Sequence, residues 1–429
     1  MELTVKKARN LKGTIRVPGD KSISHRSIMF GALAEGVTHV TGFLAADDCI
    51  STMHCFEALG VEIERVSETE LKIHGVGLKG LKEPNVILDT GNSGTTTRIL
   101  TGILAGQNIF AVMTGDASIR KRPMARVVEP LRLMGAEIWG RGGGTYVPLG
   151  IKGTALQGIA YDMPVASAQV KTCLLMAGLL AEGETILTEP SKSRDHTERM
   201  LELFSARLLV KGNRYTITGG QQLKAAQVDV PGDISSAAFF MVAALIAGDS
   251  IVTIENVGVN PTRTGVLDAL DAMGAGIELA NRSNLSNEPR ASLLVSGRQL
   301  NAITIEGDLI PRLIDEIPII AVAATQAHGM TTIRDASELR VKESDRIAAL
   351  TQELRKMGAD IEELEDGMII NGPTPLKGAR VGSHGDHRIA MSLAVAGLVA
   401  EGETIVEDSE AIAISYPEFE RTLSELVEG

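Results

Sequence analysis

The sequence predicts an α/β protein of two domains, each built from three repeated units. Three observations carry that prediction. The chain has 429 residues, more than one ordinary core accommodates. A phrase of small residues, a glycine and a β-branched run recurs along it. One longer stretch, "VPGDKSISHRSIMFGALAEG" from Val17, returns as "VPGDISSAAFFMVAALIAG" from Val230, 213 positions on and almost half the chain away.

The short phrases are "ALAEGVTHV", "GILAGQNIFAV", "GLLAEGETIL", "ALIAGDSIVTI", "ATQAHGMTTI" and "GLVAEGETIV". Their glycines are Gly36, Gly106, Gly183, Gly248, Gly329 and Gly402, spaced 65 to 81 residues apart. Each phrase reads as a helix end, a glycine stop and a strand. Between them lies a second phrase, "FEALGVEIE", "LRLMGAEIW", "LDAMGAGIEL" and "LRKMGADIE", an amphipathic helix running through glycine into another strand. "LELFSARLLV" at 201–210 takes that place in the third unit without the glycine, and the sixth unit ends in the helix-like "YPEFERTLSEL". A unit is therefore strand, helix, strand, helix, strand, strand. One such unit cannot bury both faces, so the units must pack on one another. The two "VPGD" turns mark crossovers. They predict one domain over 19–230 and a second over 1–18 plus 231–429, the first strand joining the C-terminal half.

Composition narrows the function. The 54 acidic against 42 basic residues leave a net charge of -12, which argues against the broad basic face of a nucleic-acid binder. Cys49, Cys55 and Cys173 form no CxxC, so a reducing compartment without disulfides is expected. "MELTVKKARN" lacks the apolar core of a signal peptide. Runs such as "FFMVAALIAG" are too short for a membrane span. The cytoplasm is the expected location.

The chemistry gathers just before each small-residue helix, in "PGDKSISHR", "DTGNSGTTTR", "MPVASAQVK", "VPGDISS", "GDLIPRLIDEIP" and "GSHGDHRIAM". Most are rich in Gly, Ser, Thr and Asn, with a cation one turn in. Helix starts present N–H groups and the positive dipole end, so several converging would favour an anion inside an acidic protein. Asp20 or Ser22 is the expected cap of the first helix. Further cations lie in "SIRKRPMARV", "KSRDHTERM" and "ELRVKESDRI". Of these, Lys121, Arg126 and Lys192 read as solvated surface charges. Glu343 and Arg346 share a helix face three residues apart, either a salt-bridged capping pair or an acid held to move protons. Asp315, beside the apolar run in "LIDEIPII", is a cap or a base. His25, His196 and His387 read as hydrogen-bonding partners. No spacing matches a metal motif, and the glycine loops are neither Walker nor Rossmann, so no metal or nucleotide is expected.

Taken together and in order, "PGDKSISHR", "GNSGTTTR", "RPM", "SAQVK", "SRDHTE", "RVKESDR" and "GDHRIAM" resemble the 5-enolpyruvylshikimate-3-phosphate synthase family nearly end to end. "SRDHTE" and "SAQVK" resemble its second sequence class. The resemblance implies the two-domain enolpyruvyl transferase fold, an inside-out α/β barrel of six βαβαββ units, with the active site in the interdomain cleft. It implies a monomeric transferase without cofactor that moves the enolpyruvyl group of phosphoenolpyruvate to the 5-hydroxyl of shikimate 3-phosphate on the way to chorismate. By motif, Lys21, Gly94, Arg122, Gln169, Arg346 and Arg388 would hold phosphoenolpyruvate. Lys21, Ser22, Arg26, Ser167, Ala168, Gln169, Arg194, Asp315 and Lys342 would hold shikimate 3-phosphate. Lys21, Asp315 and Glu343 would be catalytic. Gly94 would leave room for glyphosate in the phosphoenolpyruvate site. The chain departs from some members at Ile99, where they have Pro, and at Ile414, where they have a phosphate-binding Lys. Competing readings are UDP-N-acetylglucosamine enolpyruvyl transferase, whose mobile-loop Cys motif is absent, RNA 3'-phosphate cyclase, whose nucleotide and RNA sites are not evident, and a non-catalytic anion-binding repeat protein. Asp315 and Glu343 would only weaken that last function.

Overall fold

Strand pairing reproduces the repeat. The computed structural model describes residues 1–428. The chain divides into an N-terminal unit, Gly19–Val230 with Leu285–Glu288, and a C-terminal unit, Met1–Pro18, Pro231–Asn284 and Pro289 onward. Each has its own hydrophobic core, and the two cores share no residue.

Six helices follow the six polar starts: α1 (Lys21–Leu33), α2 (Gly94–Ala105), α3 (Ala168–Leu180), α4 (Ile234–Ile246), α5 (Ile317–Thr325) and α6 (His387–Gly397). They are apolar or small on nearly every face, so they must lie inside, and nearly all their residues are buried. The strands alternate buried and exposed positions, as in Glu184–Thr188, so each unit carries helices inside and sheets outside. Small residues let the helices close up: a Cβ on Gly102 of α2 would stand 2.3 Å from the Cys173 carbonyl oxygen of α3.

The second repeat shows the plan. Leu88–Asp89 pairs parallel with Phe110–Thr114 across α2, and Glu137–Arg141 and Tyr146–Lys152 complete the sheet as an antiparallel hairpin. Ala125–Leu133 is its second helix. The third repeat is built likewise from Ala160–Asp162 to Arg214–Thr218.

Two expectations are corrected. The stretch 1–18 is two strands in two different sheets. Glu2–Lys6 pairs antiparallel with Glu403–Glu407, and Lys12–Arg16 pairs parallel with Ile251–Gly258. The first repeat receives its leading strand from the far end of its unit, Leu223–Lys224 and Gln227–Asp229 pairing parallel with Ala34–Thr41. The repeated glycines, in turn, do not all stop the helices. Gly106 caps α2 and Gly248 follows the cap of α4. Gly36, Gly183, Gly329 and Gly402 lie beyond the helix end with φ of +84 to +105°. Gly183 and Gly402 turn the chain into the strand, Gly329 opens its strand and Gly36 lies within Ala34–Thr41, all in a conformation that costs a side chain.

Among the described residues no helix is long and apolar enough to cross a membrane. All three cysteines are buried and free.

Candidate functional site

In the N-terminal unit the first turns of α1, α2 and α3 are joined by polar contacts. Asp20 caps α1, accepting from Ile23 N at 2.9 Å. Ser93 caps α2 and Ser167 caps α3 in the same manner. Lys21 is thereby the first helical residue of α1, Gly94 of α2 and Ala168 of α3. The ammonium of Lys21 is 2.9 Å from Asp48 Oδ2. Arg26, one turn into α1 and 3% exposed, donates only to neutral oxygens among its named partners: Thr197 Oγ1 at 2.8 Å, Thr172 Oγ1 at 2.8 Å and the Ser22 carbonyl at 3.0 Å. Burial pulls its guanidinium down to about 10, only partly offset by Glu198, while Arg194 adds like charge.

Two arginines, Arg98 and Arg122, meet at Gly94. Arg98 donates to Gln169 Oε1 at 2.5 Å and to the Pro123 carbonyl. Gln169 donates in turn to Thr95 Oγ1 at 3.0 Å. Arg122 donates to the Asn92 carbonyl at 3.3 Å. A Cβ at Gly94 would lie 3.0 Å from both Arg98 Nη1 and Arg122 Nη2, so only glycine leaves that concavity open. His25 bonds Thr52 Oγ1 at 2.7 Å, and Thr52 bonds Thr96 at 2.6 Å. Burial, then the charges of Lys21 and Arg26, hold His25 well below its usual range, so it is neutral. His196 bonds Glu288 at 2.7 Å.

The C-terminal unit gathers a different set. Arg346, 1% exposed, begins the helix Arg346–Lys356. Its Nε is 2.7 Å from Asp386 Oδ2, its Nη2 is 2.6 Å from Glu343 Oε2, and its Nη1 is 3.2 Å from Asp315 Oδ1. Burial opposes this charge, but Asp386, Glu343 and Asp315 overcome it and raise the guanidinium further. Burial likewise opposes the Asp386 carboxylate, and Arg346 overrides it, holding Asp386 below 3.8. Lys342 Nζ stands 3.3 Å from Asp315 Oδ1. Arg388, in the first turn of α6, donates to the Asp315 carbonyl at 3.1 Å. Ser235 of α4 donates to Glu316, the cap residue of α5, and Glu316 lies 3.9 Å from Arg388. The starts of α4, α5 and α6 are thus linked as well.

The structure therefore brings the predicted residues into two constellations. Lys21, Ser22, Arg26, Gly94, Arg122, Ser167, Ala168, Gln169 and Arg194 belong to the N-terminal unit, and Asp315, Lys342, Glu343, Arg346 and Arg388 to the C-terminal one. Of the cations read as solvated, Lys121 and Lys192 are exposed, but Arg126 is half-buried. Ile414 is half-buried and offers no cation. The sequence reading passed over Arg98, Asp48, Glu316 and Asp386. Arg98 carried a signal, since it stands one turn into α2 as Arg26 does in α1.

Comparison with known proteins gives the family. The family profile described as EPSP synthase (3-phosphoshikimate 1-carboxyvinyltransferase) matches residues 5–423. A 3-phosphoshikimate 1-carboxyvinyltransferase of Desulforamulus reducens is 54% identical over 427 residues, covering 100% of both chains. That of Brevibacillus brevis is 56% identical over 417 residues, covering 97% of this chain and 98% of its own. A solved EPSP synthase structure from Acinetobacter baumannii superposes with a TM-score of 0.88 at 47% identity, covering 99% of this chain and 98% of that one. The chain belongs to the EPSP synthase family of carboxyvinyl transferases.

Proposed function

We propose that this transferase moves the enolpyruvyl group of phosphoenolpyruvate to the 5-hydroxyl of shikimate 3-phosphate, and that Lys21, Asp315 and Glu343 carry the chemistry. The observation that carries the assignment is that one buried guanidinium, Arg346, holds both acids, at 3.2 Å and 2.6 Å. In the addition step the 5-hydroxyl oxygen bonds to C2 of phosphoenolpyruvate, and its proton passes to Asp315. The methylene carbon takes a proton from Glu343 and becomes a methyl group. In the elimination step that proton returns to Glu343, the C2–O bond to phosphate breaks, and phosphate leaves with the proton from the hydroxyl. Lys21 stands at the reacting oxygen. Glu343 must be protonated for the first step, which its ion pair opposes. A ligand carboxylate taking over Arg346 removes that pairing and puts a like charge beside Glu343, favouring its acid form.

Arg122, Gly94, Gln169, Arg346 and Arg388, with Lys21, hold phosphoenolpyruvate. Ser22, Arg26, Ser167, Ala168, Gln169, Arg194 and Lys342, with Asp315, hold shikimate 3-phosphate. The neutral partners of Arg26 support this, because they leave its charge for an anion. The enzyme acts as a monomer in the cytoplasm, where three free thiols persist.

The test is phosphate release from the purified protein, with each substrate omitted in turn. Release should need both substrates and be lost in Lys21→Met. Release from phosphoenolpyruvate alone, or undiminished release by Lys21→Met, overturns the reading.

A further inference from the structure

One buried charge cluster lies outside the residues assigned above. Lys171 of α3 has no exposed side-chain surface. Its Nζ donates to Glu189 Oε2 at 2.9 Å, stands 2.6 Å from Glu198 Oε1, and lies 4.5 Å over the ring of Tyr215. Glu189 is equally buried, and the Glu198 side chain is 12% exposed. Stability alone is a poor account of such a group. Burying ions is costly, and well-packed apolar replacements are often as stable.

Its position suggests a purpose. Lys171 is followed by Thr172, and Glu198 is preceded by Thr197. These are the two hydroxyls that hold Arg26, at 2.8 Å each, and they lie 2.6 Å from one another. Thr172 also donates to the Ala168 carbonyl at 2.6 Å. Its proton being used there, Thr197 donates to Thr172, and both oxygens accept from Arg26. The ion pair thus ties α3 to the helix His196–Leu203 one residue away from both hydroxyls. The two hydroxyls otherwise meet through each other and through Arg26, the group whose position is at issue.

We propose that the Lys171–Glu198 ion pair is a positioning device for shikimate 3-phosphate, setting the spacing of Thr172 and Thr197 and so the plane of the Arg26 guanidinium. The inference rests on the assignment of Arg26 to that substrate. Lys171 and Glu198 touch no reacting atom and act through Arg26.

The experiment is a double-mutant cycle on the full chain, with Glu198→Gln, Arg26→Gln and both together. Each substrate is varied separately, and the melting temperature is recorded. Glu198→Gln keeps the Lys171–Glu189 pair balanced. It should raise KM for shikimate 3-phosphate about tenfold, move KM for phosphoenolpyruvate less than twofold, and add less than twofold in the Arg26→Gln background, because coupled residues are non-additive. Should Glu198→Gln not fold, Glu198→Asp, which retracts the charge by one methylene, carries the same expectation. A lower melting temperature with both KM values moved equally, or an effect of full size in the Arg26→Gln background, makes the pair merely structural and overturns the proposal. If Arg26→Gln itself leaves KM for shikimate 3-phosphate unmoved, the assignment of Arg26 is what fails, and the positioning role falls with it.

Discussion

Two buried arginines, one in each unit, are held in opposite ways. Arg26 is surrounded by hydroxyls and a carbonyl, and burial pulls it down to about 10. Arg346 is surrounded by three carboxylates that outweigh burial and raise it. The first is a charge that the protein leaves largely uncompensated, and the second is a charge already spent on acids. An anion arriving at Arg26 gains a partner without displacing one. An anion arriving at Arg346 competes with carboxylates already there, and two of them, Asp315 and Glu343, are the groups proposed to move protons. On the proposed assignments, holding shikimate 3-phosphate leans on the N-terminal unit and proton transfer by carboxylates on the C-terminal one.

The sharpest way to break that contrast is to exchange the phenotypes. Glu343→Gln should lower kcat by about 10²- to 10⁴-fold, the span of a lost general acid–base group, with little change in KM for shikimate 3-phosphate. Arg26→Gln should do the reverse. Losing charged hydrogen bonds worth about 1.5–3 kcal/mol should raise that KM roughly 10- to 100-fold and leave kcat within a few-fold. Steady-state kinetics on both variants decide it. A Glu343→Gln enzyme that binds poorly but turns over normally would dissolve the division of labour.

Acid should separate the units too. His25 is held neutral in the N-terminal unit, well below 6.5. The unfolded chain therefore takes up its proton first, and the unit loses stability as pH falls from about 6.5 toward the folded value. The limiting slope is about 1.4 kcal/mol per pH unit, so by pH 5 the loss reaches at most about 2 kcal/mol. Asp386 in the C-terminal unit is depressed below 3.8. Its contribution is intact above about pH 4 and is lost only as pH falls through the folded value. Hydrogen exchange at pH 7 and pH 5, corrected for intrinsic rates, should show core amides of α1 and α2 weakened before those of α4 and α6. Simultaneous weakening would count against the sign argued for His25.

A smaller effect tests the Gly94 concavity. Gly94→Ala puts a methyl group 3.0 Å from two guanidinium nitrogens, which are side-chain ends able to shift. The fold should survive. KM for phosphoenolpyruvate should rise several-fold, KM for shikimate 3-phosphate should stay near its original value, and competition by glyphosate against phosphoenolpyruvate should weaken. Equal changes in both KM values would mean that the methyl group disturbs more than this concavity.

Much of this was legible in the sequence because it is local. Caps, glycine phrases and cations one turn into a helix are written within ten residues of one another, and they set both the repeats and most site positions. What was hidden is set by partners far along the chain. Asp48, in "AADDCI", has no pattern announcing that it will meet Lys21. Thr172 and Thr197 are ordinary helix residues until folding brings them to Arg26, 146 and 171 positions away. Asp386 reads as a helix cap and is one, but its second duty to Arg346 spans 40 positions. The leading strand of the first repeat escaped for the same reason. Leu223–Lys224 is two residues long, too short for any periodicity, and it becomes a strand only because Ala34–Thr41 offers an edge.

The finest test lies where one repeat of the N-terminal unit breaks the pattern of the others. After the second helix of five repeats the chain turns at Gly60, Gly135, Ser205, Gly274 and Gly358, and all five residues have positive φ, at 86, 94, 66, 93 and 90°. Four are glycine, which takes that conformation freely. Ser205 takes it with a Cβ, against a left-handed penalty of about 1–2 kcal/mol for an L-residue. Glycine in its place gives back part of that gain by loosening the unfolded chain. The net expectation for Ser205→Gly is a stabilisation of about 0.5–1 kcal/mol, read as a higher denaturant midpoint with an unchanged slope. Both KM values should stay fixed. Because the residue belongs to the N-terminal unit, the variant should also delay the acid weakening of α1 and α2 while leaving α4 and α6 as they were. A loss of stability would show that the Ser205 hydroxyl contributes more than its backbone strain costs.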